Sequence, residues 1–272
     1  MFYIEKNDKP NWLIKKANII KVEDNTIILP IYDKIKTKSI EKIAKKTNKI
    51  INRLSNSKKI VLSKEIKKQT DYINLLNTYG LEIQDGKWLF EILLSDVVEY
   101  IVKQQKIEKA NISILINDLT EIEIENIKIL AEKYKTINIV TNHIEKFQRI
   151  EKQLQEKGII ITITNNKKKS LMKSNIIINV DFPNELINKY RIYENATIIN
   201  VKNNVKIKQK RFNGQIIKDY EIKFNEDCCN EKFFNKKYDL KDIYEAGLYK
   251  KSALRDIRKR LQNNNVKIYK TL

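Results

Sequence analysis

Glycine is nearly missing from this chain. Gly80, Gly86, Gly158, Gly214 and Gly247 are the only ones in 272 residues. No pair has the spacing of a P-loop or of a G-x-G-x-x-G turn, so the common phosphate cradles are excluded. Histidine is scarcer still, with His143 alone. Sites built on several imidazoles are therefore excluded, and with no nucleophile motif neither a Ser-His-Asp nor a Cys-His arrangement can be drawn. The two cysteines, Cys228 and Cys229, are adjacent. Neighbouring cysteines bridge only under strain, and no second pair completes a metal site, so they read as reduced thiols of an intracellular protein. No metal is expected. No run of eighteen apolar residues occurs, so no membrane span is expected. The stretch Met1 to Trp12 is polar and contains Pro10, which is not a signal peptide, and the chain is expected to be cytoplasmic.

What the chain does have is isoleucine, lysine and asparagine: 48, 47 and 31 residues, or 46% of the total. All three are favoured by codons rich in A and T. Lysine outnumbers arginine 47 to 7, as compositional drift produces. The net charge of +20 therefore has two readings, drift or a selected polyanion-binding surface.

The hydrophobic pattern predicts an α/β protein. Residues 17–31 read as a hairpin turning at Asp24-Asn25. A helix follows Ser39, with Ile40, Ile43, Ala44, Thr47, Ile50, Ile51 and Leu54 on one stripe. Residues 59–64 and 81–84 read as strands, 70–79 as a helix closed by Gly80, and 88–104 as a helix apolar far around its circumference. From there the signal is clearest. Strands at 112–116, 137–141, 159–164, 175–180 and 196–201 alternate with helices opened by Thr120 with Glu123 and by Asn142 with Glu145. Continuous apolar strands between amphipathic helices predict a doubly wound, mostly parallel Rossmann-like sheet. After it, residues 205–212 and 215–224 read as an antiparallel hairpin about Asn213-Gly214, and helices are expected near 240–249 and 252–261. The domains expected are a small α/β domain over 1–87, a Rossmann-like domain over 88–204, and a hairpin-plus-helix appendage over 205–272.

Residues 88–201 resemble the nicotinamide-binding domain of the shikimate dehydrogenase and glutamyl-tRNA reductase group. Thr141-Asn142-His143-Ile144-Glu145-Lys146 resembles the corner where that family reads the adenosine ribose. Ser174 to Val180 resembles its fourth strand, and a long helix precedes the domain. The resemblance implies an NAD(P) cofactor, with Asn117, Asp118, Asn142 and His143 at its site. It also implies a lysine and an aspartate in the first half, for which Lys64 and Asp85 are the catalytic candidates. The departure lies at the first strand-helix corner. Asn117-Asp118-Leu119-Thr120-Glu121-Ile122-Glu123 has no glycine, and Asp118, Glu121 and Glu123 stand where phosphates would sit.

One basic cluster is poorly explained by drift. Arg255, Arg258 and Arg260 fall within six residues, and arginine grips phosphate with a bidentate fork. Three function classes stay open. The first is a non-catalytic Rossmann-like protein acting through ligand or protein contacts. The others are an NAD(P)-dependent oxidoreductase with an altered phosphate loop and a nucleic-acid or polyanion-binding protein.

Overall fold

The computed structural model describes residues 1–32, 35–225, 236–248 and 250–272. Cys228 and Cys229 lie outside them. The chain forms two compact units, each built from two stretches of sequence. Unit 1 comprises Met1–Gly86 and Phe224–Ser252, and unit 2 comprises Lys87–Lys223 and Ala253–Leu272. Residues 205–272 are thus divided between the units.

Unit 1 opens with a strand the polar composition conceals, β1 (Phe2–Lys6), followed by helix α1 (Trp12–Ala17). The expected hairpin is β2 (Lys21–Glu23) and β3 (Thr26–Leu29), paired antiparallel. Then come α2 (Thr37–Leu54), β4 (Lys59–Leu62), α3 (Thr70–Thr78) and β5 (Glu82–Gln84). The sheet order is β2-β3-β1-β4-β5, and every pair except β2–β3 is parallel. Helix α2 lays Ile40, Ile43, Ala44, Thr47 and Ile51 on one face of the sheet, among Ile4, Ile27, Leu62, Tyr72 and Leu76. Burying one such aliphatic side chain stabilises by about 1.5–3 kcal/mol. Thr47 is tolerated there because its hydroxyl donates to the Ile43 carbonyl and accepts from the Tyr72 hydroxyl at 3.0 Å.

Unit 2 begins with α4 (Lys87–Ile92) and α5 (Leu94–Gln104). These were expected as one helix; the helix breaks at Leu93, beside the Ile92 carbonyl that accepts from Arg258. The chain then builds β6 (Asn111–Leu115), α6 (Glu121–Lys133), β7 (Thr136–Val140), α7 (Ile144–Gln155), β8 (Thr162–Thr164), β9 (Ile176–Asn179), α8 (Asn184–Ile187), β10 (Thr197–Asn200) and β11 (Ile216–Ile217). All six strands are parallel, in the order β11-β10-β9-β6-β7-β8. Taken in chain order this is the 3-2-1-4-5-6 arrangement of a doubly wound Rossmann-like sheet. Strands β9 and β10 are buried at every position, as a sheet covered on both faces requires.

The expected hairpin about Asn213-Gly214 is not formed. Residues 216–217 join β10 in parallel, while β12 (Tyr220–Lys223) waits for the last strand of the chain. Gly214 has a different role from a turn glycine. A Cβ there would stand 1.9 Å from the Ala196 carbonyl oxygen, so its bareness lets the backbone reach β10. The chain then returns to unit 1 with α9 (Leu240–Ala246), whose Ile243 and Ala246 join Tyr238 over Tyr3 and Val61 on the second face of that sheet. It ends in unit 2 with α10 (Leu254–Asn263) and β13 (Lys267–Thr271), and β13 pairs antiparallel with β12.

Candidate functional site

In a doubly wound sheet, ligands bind at the carboxyl edge where the strand order reverses. In unit 2 that switch point lies between β6 and β9. The corner after β6 holds Asn117 and Asp118, and the turn after β9 holds Asp181. One Asp181 carboxylate oxygen accepts from the Asn117 amide and the other from the amides of both Asn117 and Asp118, all at 2.9 Å. These amides occupy the place where dinucleotide-binding folds of this strand order bind a pyrophosphate. An internal carboxylate holds them here.

Local chemistry aims Asp181. The Asn179 side chain accepts from the Phe182 amide at 3.0 Å and donates to the Phe182 carbonyl at 3.1 Å, closing a tight turn about Asp181. The Asn203 side chain donates to the Asp181 carbonyl at 2.9 Å. Burial raises the Asp181 carboxyl above its usual range, and the two amides oppose the rise.

Around this clamp the corner satisfies itself. Thr120 and Glu123 form the expected capping box, with the Thr120 amide donating to Glu123 at 2.9 Å. Glu123 is only 4% exposed and receives Lys202 at 2.6 Å. Burial works to raise the Glu123 carboxyl; Lys202 and Thr120 outweigh it and leave it below the usual range. Asp118 pairs with Lys146 at the surface at 2.8 Å. The structure brings together three of the four cofactor candidates, since the Asn142 amide donates to Asn117 Oδ1 at 3.0 Å beside Asp118. His143 follows on the exposed start of α7, its amide donating to Thr141 Oγ1.

Unit 1 has its own switch point, between β1 and β4. There a cleft of about 360 Å³ opens past the strand ends. Lysine is about one residue in six of the chain, yet Lys6, Lys64, Lys68, Lys236 and Lys237 are five of the nine residues lining this cleft. The others are Glu5, Asp8, Glu65 and Ser63, so the lining carries a net positive charge. Lys64 lies 3.6 Å from Asp239, Lys6 lies 3.3 Å from Glu65, and Lys237 lies 3.1 Å from Glu5. Asp85 does not line the cleft; it precedes Gly86 in the turn after β5.

Beside the cleft, Lys67 lies between Asp239, at 2.5 Å, and the wholly buried Asp242. Burial works to raise Asp239, but Lys67 outweighs it and leaves it low. Burial pushes Asp242 up to about 7 against the pull of Lys67.

The arginine cluster is split by its helix. Arg255 and Arg260 are exposed on α10. Arg258 is drawn inward, where its Nη2 donates to the Ile92 carbonyl at 2.9 Å and to Asn126 Oδ1 at 2.8 Å. Burial lowers its pKa, with Asp96 and Glu125 opposing.

Asp181 and Lys202 were missed in the sequence. The local signal for Asp181 is the Asn179-Val180-Asp181-Phe182-Pro183 turn; Lys202 gives none among so many lysines. No group of three or more potential metal ligands occurs among the described residues.

No protein-family model matches this chain, and no curated protein matches its sequence. Similar solved structures are α/β Rossmann-like folds. They include an ornithine carbamoyltransferase from Pyrococcus furiosus, at 9% identity over 73% of this chain and 71% of that one, TM-score 0.29. A mitochondrial ornithine carbamoyltransferase from Coccidioides immitis matches at 9% over 96% and 82%, TM-score 0.31. A shikimate 5-dehydrogenase-like protein matches at 10% over 73% and 76%, TM-score 0.26. Likenesses this distant say nothing of what this chain binds or does.

Proposed function

We propose that this chain is a non-catalytic Rossmann-like protein that acts through ligand or protein contacts, with the six-stranded sheet as a degenerate dinucleotide fold that serves as scaffold. The observation that supports this reading is the Asp181 carboxylate on the Asn117 and Asp118 amides. A pyrophosphate would have to displace an internal anion from the donors it needs and would meet Asp118 beside them. Ligand contacts fall instead to the lysine-rich cleft of unit 1, where Lys64 and its neighbours suit a small anionic molecule.

Isothermal titration with NAD and NADP tests the reading. No binding heat is expected. A dissociation constant in the low micromolar range, about −8 kcal/mol, would overturn it in favour of an NAD(P)-dependent oxidoreductase, with Asn142 and His143 as the ribose-side contacts.

A nucleic-acid or polyanion-binding role is the second reading. It rests on Arg255 and Arg260, which α10 leaves exposed to bind phosphate.

A further inference from the structure

Helix α1 has no buried residue. Helices this short persist in folded proteins when an apolar face docks on a core, but in α1 only Ile14 is half-buried, and the larger Trp12 and Leu13 are exposed. Trp12 is 66% exposed and Leu13 61%, and the chain runs on into the edge strand β2 through Ile19 and Val22, at 49% and 38%. Trp12 and Leu13 are neighbours on the first turn of α1, and large apolar side chains exposed side by side mark a contact surface. The helix itself is well built. Asn11 caps it by accepting from the Ile14 amide at 2.9 Å, Asn18 closes it in the left-handed conformation, and Lys46 of α2 donates to the Ala17 and Asn18 carbonyls. The exposed residues therefore belong to a formed surface and not to a frayed end.

Charge identifies what fits it. From Lys9 to Lys16 the chain carries Lys9, Lys15 and Lys16 and no acidic residue, while Lys21 is paired with Glu23 at 2.5 Å. The Lys16 ammonium lies 4.7 Å from the centre of the Trp12 ring. A second copy of the chain would bring these lysines against their own images. The strand edge it would pair with carries Lys21 and Glu23, charges that resist strand addition. An anionic bilayer meets both halves of the surface: the indole and leucine enter at headgroup level, and the ammonium groups lie on lipid phosphates. We propose that the surface of α1, anchored by Trp12 and Leu13 with Lys9, Lys15 and Lys16 around them, docks reversibly on an anionic lipid bilayer. The contact is peripheral, since no helix among the described residues is long and apolar enough to cross a membrane.

The test uses the full chain with two kinds of vesicle, phosphatidylcholine alone and phosphatidylcholine with about one third phosphatidylglycerol. Co-sedimentation is expected with the second and not the first. Tryptophan emission should shift to the blue on binding, and the shift should vanish in Trp12→Phe. Trp12→Ala with Leu13→Ala should weaken partitioning about tenfold or more. Lys15→Gln and Lys16→Gln should each weaken it about fivefold. The substituted side chains are exposed, so circular dichroism should give each variant the melting temperature of the parent. The whole chain is basic, so sedimentation with no emission shift and no dependence on Trp12 and Leu13 overturns the proposal in favour of diffuse charge. Equal binding to phosphatidylcholine alone, or no binding to either vesicle, overturns it too. So does a dimer whose formation depends on Trp12.

Discussion

Asp181 follows β9 by two positions and holds two amides of the corner after β6. Hydrogen bonds to a charged partner contribute about 1.5–3 kcal/mol each, but the Asn117 amide is part-buried and the Asp118 amide exposed, so both can turn to water. Asp181→Ala should therefore destabilise unit 2 by about 1–3 kcal/mol in chemical denaturation, and Asp181→Asn by less; an unchanged midpoint would mean water replaces the carboxylate fully. Asp242 makes a pH-dependent contribution. Its carboxyl titrates near 7 in the fold and near 4 in an unfolded chain. Between those values the folded state keeps a proton that the unfolded state has lost, so stability should fall as pH rises through that window. The slope is at most about 1.4 kcal/mol per pH unit. Lys67, Asp239 and Lys241 face the carboxyl. Asp242→Asn should flatten the slope, as measured by denaturation midpoints at about pH 5 and about pH 7.5; a mutant slope equal to the parent's would place the titration elsewhere. At this scale the sequence was half legible. The missing glycines and the Thr120–Glu123 box could be read locally, and both count against an anion at the corner. The carboxylate that meets the amides comes from 63 residues further along, and no local pattern can report a partner that a crossover brings in.

At the scale of elements, α10 shows how helical period sorts like residues into unlike places. Taking Leu254 as the origin, Ile257, Arg258 and Leu261 all fall within about 60° of it, while Arg255 and Arg260 lie about 100° to either side or beyond. Arg258 therefore shares the stripe of Ile257 and Leu261, which are 4% and 5% exposed. The period alone sets Arg255 and Arg258 only about 60° apart, on one face; in the fold Arg258 turns inward while Arg255 stays exposed. Arg258→Gln should lower stability by about 1–3 kcal/mol and leave any nucleic-acid binding untouched. Arg255→Gln with Arg260→Gln should do the reverse, removing roughly two units from the log–log salt slope on a duplex if both hold phosphate. An unchanged slope would make α10 a solvated face. The strands of unit 2 were legible because two covered faces force continuous apolar runs. The segment after Val201 was not. Asn-Gly ordinarily signals a turn, but Gly214 is there for its bare approach to Ala196, and the true partner of β12 is the last strand of the chain.

For the whole molecule, the alternation of strand and helix predicted a parallel sheet, but strand order is a matter of crossovers and could not be read. Nor could the division of the chain. Tyr3 and Val61 face a layer that α9 supplies from residues 240–246. A fragment ending at Gly86 should therefore expose that face and be insoluble or molten by near-ultraviolet circular dichroism; a cooperative melt would show that α9 is dispensable. The same division bears on how the protein is made. The 137 residues from Lys87 to Lys223 separate the two parts of unit 1. At roughly 5–20 residues per second, a ribosome needs on the order of ten seconds to translate them. Through that interval the nascent sheet has α2 on one side and nothing on the other, so its first eighty-six residues emerge as a natural client for a chaperone that shields apolar surface until α9 arrives.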